Sequence, residues 1–313
     1  MLKQYEQHLT ERDVCLLHFL WKWKVFTTAG LAVKFFDGSA NWAYNRLLKL
    51  RKAGYVDNCY LSMKHRHRVW MLNKKGFELI RSELPELQNE GFRSEAIQHD
   101  LYAAAIHLGD WLIESPKGVE LITEQELRNN FHSNLPKWVP ELTRHRPDGL
   151  WYLPDQNGNV VFALEVELNL KSKAEYGPVI RFYRDVEEIR RIVWLVKKRS
   201  HIDSLTERFK EIAPEKYKCH EFILLEHFVK VGWEAPIIQG LEQGRTLRNL
   251  LSLGNESGVV EKSYSNSSYY FSTILDARNC PYKSPRYARI EFPQNSNCMA
   301  LQPYPNKPLT EQE

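Results

Sequence analysis

Apolar positions recur at helical spacing through the first third of the chain. Val14, Leu16, Leu17, Phe19 and Leu20 form one helix face, and Leu31, Ala32, Phe35 and Phe36 form a second, which Thr27 or Thr28 can cap. Phe36-Asp37-Gly38-Ser39 reads as a turn that ends in a cap, because glycine accepts positive φ and serine accepts from exposed helix N–H groups. A third helix is expected over residues 40–53, with Ala43, Leu47 and Leu50 inward and a basic, polar remainder. Gly54 stops it. Alternation then replaces helical spacing. Val56, Tyr60 and Met63, followed by Val69 to Met71, predict two strands joined by the basic tip Lys64-His65-Arg66-His67-Arg68.

From residue 91 the pattern becomes helices alternating with short strands, the order of an α/β or α+β core. A helix over 94–108 carries His99 and Asp100, with Ala96, Ile97, Leu101, Ala104 and Ala105 as its apolar side. Strands are expected at 120–123, 149–153 and 160–168, and the Asn157-Gly158 pair marks a hairpin between the last two. Helices at 173–191 and 202–212 alternate with apolar strands at 192–196 and 221–225. The expected organisation is an N-terminal domain at 1–88, a central domain at 89–232 and a partly irregular extension at 233–313.

The hairpin carries the candidate chemistry. Asp148 stands just before its first strand, and Glu165 and Glu167 flank Val166 in the second. Alternation puts the two glutamates on one face, where two acids among apolar neighbours are costly unless a cation compensates. Carboxylate oxygens suit a hard divalent cation such as Mg²⁺ or Mn²⁺, whose bound water can become a nucleophile. Lys171 and Lys173 lie just beyond the strand, within reach of a phosphate, and Lys173 is the preferred of the two. Tyr176 and Tyr183 follow on the next helix, and a tyrosine nucleophile would make any cleavage a covalent transesterification.

Three helices followed by a basic hairpin resemble a winged helix-turn-helix domain. The resemblance implies duplex DNA as partner, with Asn41, Tyr44, Asn45 and Lys49 near base edges and Arg66 and Arg68 on the phosphate backbone. Arg146-Pro147-Asp148-Gly149 followed by Glu165-Val166-Glu167 resembles the Asp and Glu-x-Lys strands of the PD-(D/E)xK nuclease superfamily, the fold of restriction endonucleases. Glu167 stands where the lysine is usual, and some restriction enzymes of that superfamily use Glu-x-Glu there. The implied metal ligands are Asp148, Glu165, the Val166 carbonyl and Glu167, with Lys171 or Lys173 on the phosphate. The expected fold class is therefore α+β, a winged helix followed by this nuclease core.

Over residues 11–226 the layout is similar to the replication-relaxation family, which includes the MobC class of plasmid relaxases. Its other parts are Gln98-His99-Asp100 and Arg181-Phe182-Tyr183. The resemblance implies nicking of one strand at a transfer or replication origin, with His99 and Asp100 beside the metal carboxylates. It also implies single strand at the nick, and a second copy or accessory mobilisation proteins as further partners.

Composition narrows this only slightly. Hydrophobic residues make up 43% and charged residues 26%, with a formal net charge of +4, values ordinary for a globular chain that could bind nucleic acid. Cys15, Cys59, Cys219, Cys280 and Cys298 are odd in number and scattered, against a disulfide framework or thiolate zinc site. With no secretory pattern and no apolar run of membrane-spanning length, the expected location is the cytoplasm, with no membrane partner.

Overall fold

The computed structural model describes residues 9–61, 68–154, 158–251 and 275, and its class is mixed α+β. α1 (Glu11–Trp23) opens with a capping box in which Thr10 and Asp13 satisfy each other's backbone N–H groups. β1 (Val25–Thr27) follows, and the Thr27 hydroxyl then caps α2 (Thr28–Phe35), accepting from the Gly30 amide at 3.1 Å. Ser39 caps α3 (Ala40–Lys52), after a turn in which Gly38 takes φ +79°. β2 (Val56–Tyr60) and β3 (Arg68–Leu72) pair antiparallel, and β1 joins the free edge of β3, giving the order β1-β3-β2. A three-residue strand is too short for periodicity to mark, and β1 is not among the expected elements. α4 (Lys74–Ile80) packs back on α1.

The second part begins with α5 (Ile97–Leu108), three residues later than its apolar pattern suggests; Ala96, placed on the inward side, is exposed. β4 (Glu120–Thr123), α6 (Glu124–Asn129), β5 (Gly149–Leu153) and β6 (Val160–Glu167) come next, and β4, β5 and β6 form an antiparallel meander. α7 (Lys173–Asp185) ends well short of residue 191 because Val186 is extended and the run from Ile189 is drawn into parallel pairing with β6. β7 (Ile189–Val196), α8 (Arg199–Ile212) and β8 (His220–Leu224) continue the parallel half. Beyond α9 (Leu225–Val231), β9 (Ile237–Gln239) adds an antiparallel edge and α10 (Leu247–Leu251) covers it, so regular structure extends past residue 232. The sheet order is β4-β5-β6-β7-β8-β9.

Alternation along β6 sends its two faces to different cores. Phe162, Leu164 and Val166 join an apolar cluster that includes α5 and also Leu16, Trp70 and Leu50 of the N-terminal elements. Ala163 joins the opposite cluster beneath α7 and α8, with Trp194, Ile180 and Phe209. Each such large side chain contributes roughly 1.5–3 kcal/mol on burial, so the shared first cluster fixes the N-terminal elements against the sheet. Among the described residues no helix is long and apolar enough to cross a membrane.

Candidate active site

The hairpin register determines where the acids stand. Asp148 donates its backbone amide to the Leu164 carbonyl at 3.0 Å, and its Oδ2 accepts from the Val166 amide at 2.6 Å. The carboxylate is thus tied to the backbone between the two glutamates. Gly149 is required beside it, because a Cβ there would stand 2.0 Å from His107 Nε2. Glu165 and Glu167 share the face opposite Val166 and are both buried. Glu165 Oε1 accepts from His145 Nε2 at 2.6 Å and from the Tyr183 hydroxyl. Glu167 Oε2 lies 3.3 Å from Lys171 Nζ, whose chain passes over the ring of Tyr176.

The charges are mutually supporting. Burial works against ionising Asp148, but the His99 ring, 3.2 Å away, and the Val166 amide hold its carboxyl below the usual range. Burial likewise opposes charge on His99, yet Asp148 on one side and Asp100 on the other push it up to about 11. His145 is raised against its burial by Glu165, and Lys171 against its burial by Glu167 and Glu165. Tyr183 is pushed well above its ordinary value by burial and by Glu165. Its hydroxyl is a donor to that glutamate in a buried position, a poor arrangement for a nucleophile.

Of the residues picked out from sequence, Asp148, Val166, His99 and Asp100 are linked in one chain of contacts, Lys171 pairs with Glu167, and Glu165 stands on the same strand as Val166 and Glu167. Lys173 lies apart: it pairs with Glu211 at 2.7 Å on the surface. Ser172 and Glu175 form a capping box that starts α7 at Lys173 and separates it from the acids. His145 and Tyr183 hold Glu165, a role that no motif suggested for the histidine. The only hint was its place three residues before Asp148. Lys24, which bonds Asp100 from the end of α1, carried no signal at all.

On α3, Asn41, Asn45 and Lys49 are exposed, and Asn45 donates to Asn41 at 3.4 Å. Tyr44 is half-buried, its ring edge-on to Trp70 and covered by the Arg68 guanidinium. Arg68 also donates to the Tyr60 hydroxyl at 2.7 and 3.0 Å, which fixes it at the base of the β2–β3 hairpin. Arg66, like His65 and His67, lies outside the described residues. Trp42, half exposed beside Asn41, carries Arg12 on its ring and was not picked out from sequence.

Three carboxylates supply the oxygen donors that Mg²⁺ or Mn²⁺ prefers. Among the described residues no three or more His, Cys, Asp or Glu side chains converge as a ready-made cage. Mg²⁺ is ordinarily held by one or two carboxylates, with water and substrate phosphate filling its remaining positions, so the donor set suits it without such a cage. No family model, curated protein or solved structure matches this chain.

Proposed function

We propose that this protein is a metal-dependent DNA endonuclease, a site-specific nicking enzyme of the relaxase kind from a plasmid or other mobile element. The observation that carries this reading is the tie between Asp148 Oδ2 and the Val166 amide, which sets a third acid beside the strand bearing Glu165 and Glu167. The succession α5, β4, β5, β6, α7, β7, with α6 inserted between β4 and β5, supports the order of the PD-(D/E)xK core. The N-terminal succession of three helices and a β2–β3 hairpin suits a winged helix, with Asn41, Asn45 and Lys49 on its exposed face toward duplex DNA.

In this reading Asp148 and Glu165 hold Mg²⁺ or Mn²⁺, with the Val166 carbonyl, and Glu167 serves as ligand or base. The ion, when bound, activates water and polarises the phosphate. His99 keeps Asp148 ionised, and His145 with Tyr183 fixes the orientation of Glu165. Lys171 supplies positive charge where a phosphoryl oxygen gains negative charge, the place the missing lysine of Glu-x-Lys would otherwise fill.

A second reading has its own support. Protein donors already engage each acid, His99 on Asp148, His145 and Tyr183 on Glu165, and Lys171 on Glu167, as in a structural network. The protein would then be a non-catalytic DNA-binding regulator or replication accessory protein with a degenerate nuclease fold. Nicking of supercoiled plasmid with Mg²⁺ or Mn²⁺ separates the two. The endonuclease reading expects relaxed product from the wild type and a loss on the order of 10³-fold in Asp148→Ala and Glu165→Ala. Absence of metal-dependent nicking, or nicking that both variants retain, favours the regulator.

A further inference from the structure

We propose that Lys24 is a positioning residue for the acidic centre, a single ammonium at the end of α1 that fixes Asp148 by both its side chain and its backbone and so registers the N-terminal elements against the site. The proposal rests on the endonuclease reading for its catalytic consequence but not for its geometry.

Two branches leave Lys24 Nζ. The first runs to Asp100 Oδ1 at 3.2 Å; the same oxygen lies 3.3 Å from His99 Nδ1, and His99 Nε2 reaches Asp148 Oδ2 at 3.2 Å. The second runs to the Glu124 carboxylate, and the Glu124 amide donates to the Asp148 carbonyl at 3.1 Å. The two branches therefore close on one residue. Lys24 is buried, so neither contact is the loose surface pairing that solvent screens.

The placement of Lys24 is specified by the fold around it. Its φ of +60° lies where a non-glycine residue is strained, and such a conformation persists only when the surroundings determine it. Lys24 is the single residue between α1 and β1, and the turn there aims the ammonium at α5 and α6. Lys22, two residues earlier, also reaches α6, pairing with Glu126 at 3.0 Å, and donates to the Leu121 carbonyl of β4 at 3.3 Å. Lys24, His99, Asp100, His107, Glu124 and Asp148 together line one small pocket. Asp100 Oδ2 is buried without a hydrogen-bond partner, which leaves Oδ1 to carry both of its links. Movement of the α1 end would thus reach Asp148 through these hydrogen bonds as well as through the apolar contact of Trp23 with His107.

The test is a double-variant cycle on the full chain, with Lys24→Met and Asp148→Asn measured singly and together by urea unfolding. The relay predicts that the unfolding constant of the double variant departs from the product of the single effects by at least about fivefold, and that this departure vanishes in a His99→Gln background. A departure smaller than about fivefold, or coupling that survives the loss of His99, overturns it. Lys24→Gln replaces the methionine variant if the latter does not fold. In plasmid nicking, Lys24→Met should lower kcat about tenfold with KM unchanged, and Lys24→Arg should restore it to within about threefold. A rise in KM alone, or no rescue by arginine, contradicts the positioning role. If the wild type does not nick with either metal, the endonuclease reading fails while the unfolding cycle still decides the relay.

Discussion

Asp148, half-buried just before β5, and Glu221, fully buried within β8, are acids of the same sheet region, and their surroundings drive them in opposite directions. Asp148 has a histidine ring at 3.2 Å and a backbone amide at 2.6 Å, and its carboxyl is held low despite burial. Glu221, at the start of β8, is fully buried, with Arg191 no nearer than 3.9 Å and the Glu242 amide at 3.2 Å. Burial prevails there and pushes its carboxyl up to about 7. It is also pressed by Gly240, where a Cβ would stand 2.0 Å from Glu221 Oε2. Depth in the sheet therefore does not decide the charge of an acid. A cationic partner at hydrogen-bond distance does, and Asp148 has one in His99 where Glu221 has only a backbone amide and a more distant arginine.

The largest expected effect that sharpens this contrast is on Asp148. Asp148→Ala removes the main support of the half-buried His99 imidazolium and should cost roughly 1–3 kcal/mol of stability near neutral pH, measured by urea unfolding. His99 has a folded value of about 11 against an unfolded 6.5. The stability it contributes is fully present below pH 6.5 and is lost as pH rises toward about 11, so wild type and variant should converge on the alkaline side. A constant difference across that range would mean that His99 is not the charge being held.

Glu221 should show an effect of similar sign in another window. Its folded value of about 7 exceeds the unfolded 4.5, so its contribution to stability is lost as pH rises between those values. Glu221→Gln keeps the shape and the acceptor for the Glu242 amide while removing the charge. It should raise stability at pH 8 by roughly 1–3 kcal/mol and flatten the profile between pH 4.5 and 7. A variant less stable than the wild type at pH 8 would show that the ionised carboxylate is well supported after all.

How much of this was legible follows from the kind of signal each residue leaves. Asp148 stands out as the acid before a hairpin strand, and two-residue alternation places Glu165 and Glu167 together, so one stretch of chain was enough. The choice between Lys171 and Lys173 was also written locally, in the capping box from Ser172 to Glu175, because a helix that begins at Lys173 turns that side chain away. His145 and Lys24 come from a loop and from a helix end distant in sequence, and only tertiary packing delivers them. Glu221 went unremarked at the head of an apolar run, where its burial depends on β9, a strand whose three residues give no periodic sign. The extent of α7 was overestimated for a related reason, since strand pairing with β6 claims Ile189 before helical spacing is visibly broken.

The smallest effect is expected at Lys173. Lys173→Ala removes an exposed pair with Glu211 and should change stability by less than about 0.5 kcal/mol and leave nicking unchanged. A marked loss of cleavage would return this lysine to the centre and break the distinction drawn between it and Lys171.

The central claim is that Asp148 and Glu165 share one divalent cation. Mn²⁺ binding followed by electron paramagnetic resonance tests it without reference to turnover. The account predicts a bound ion in the wild type and in Lys173→Ala, and its loss in both Asp148→Ala and Glu165→Ala. Equal Mn²⁺ binding by all four proteins, or none by the wild type with duplex DNA present, would contradict it.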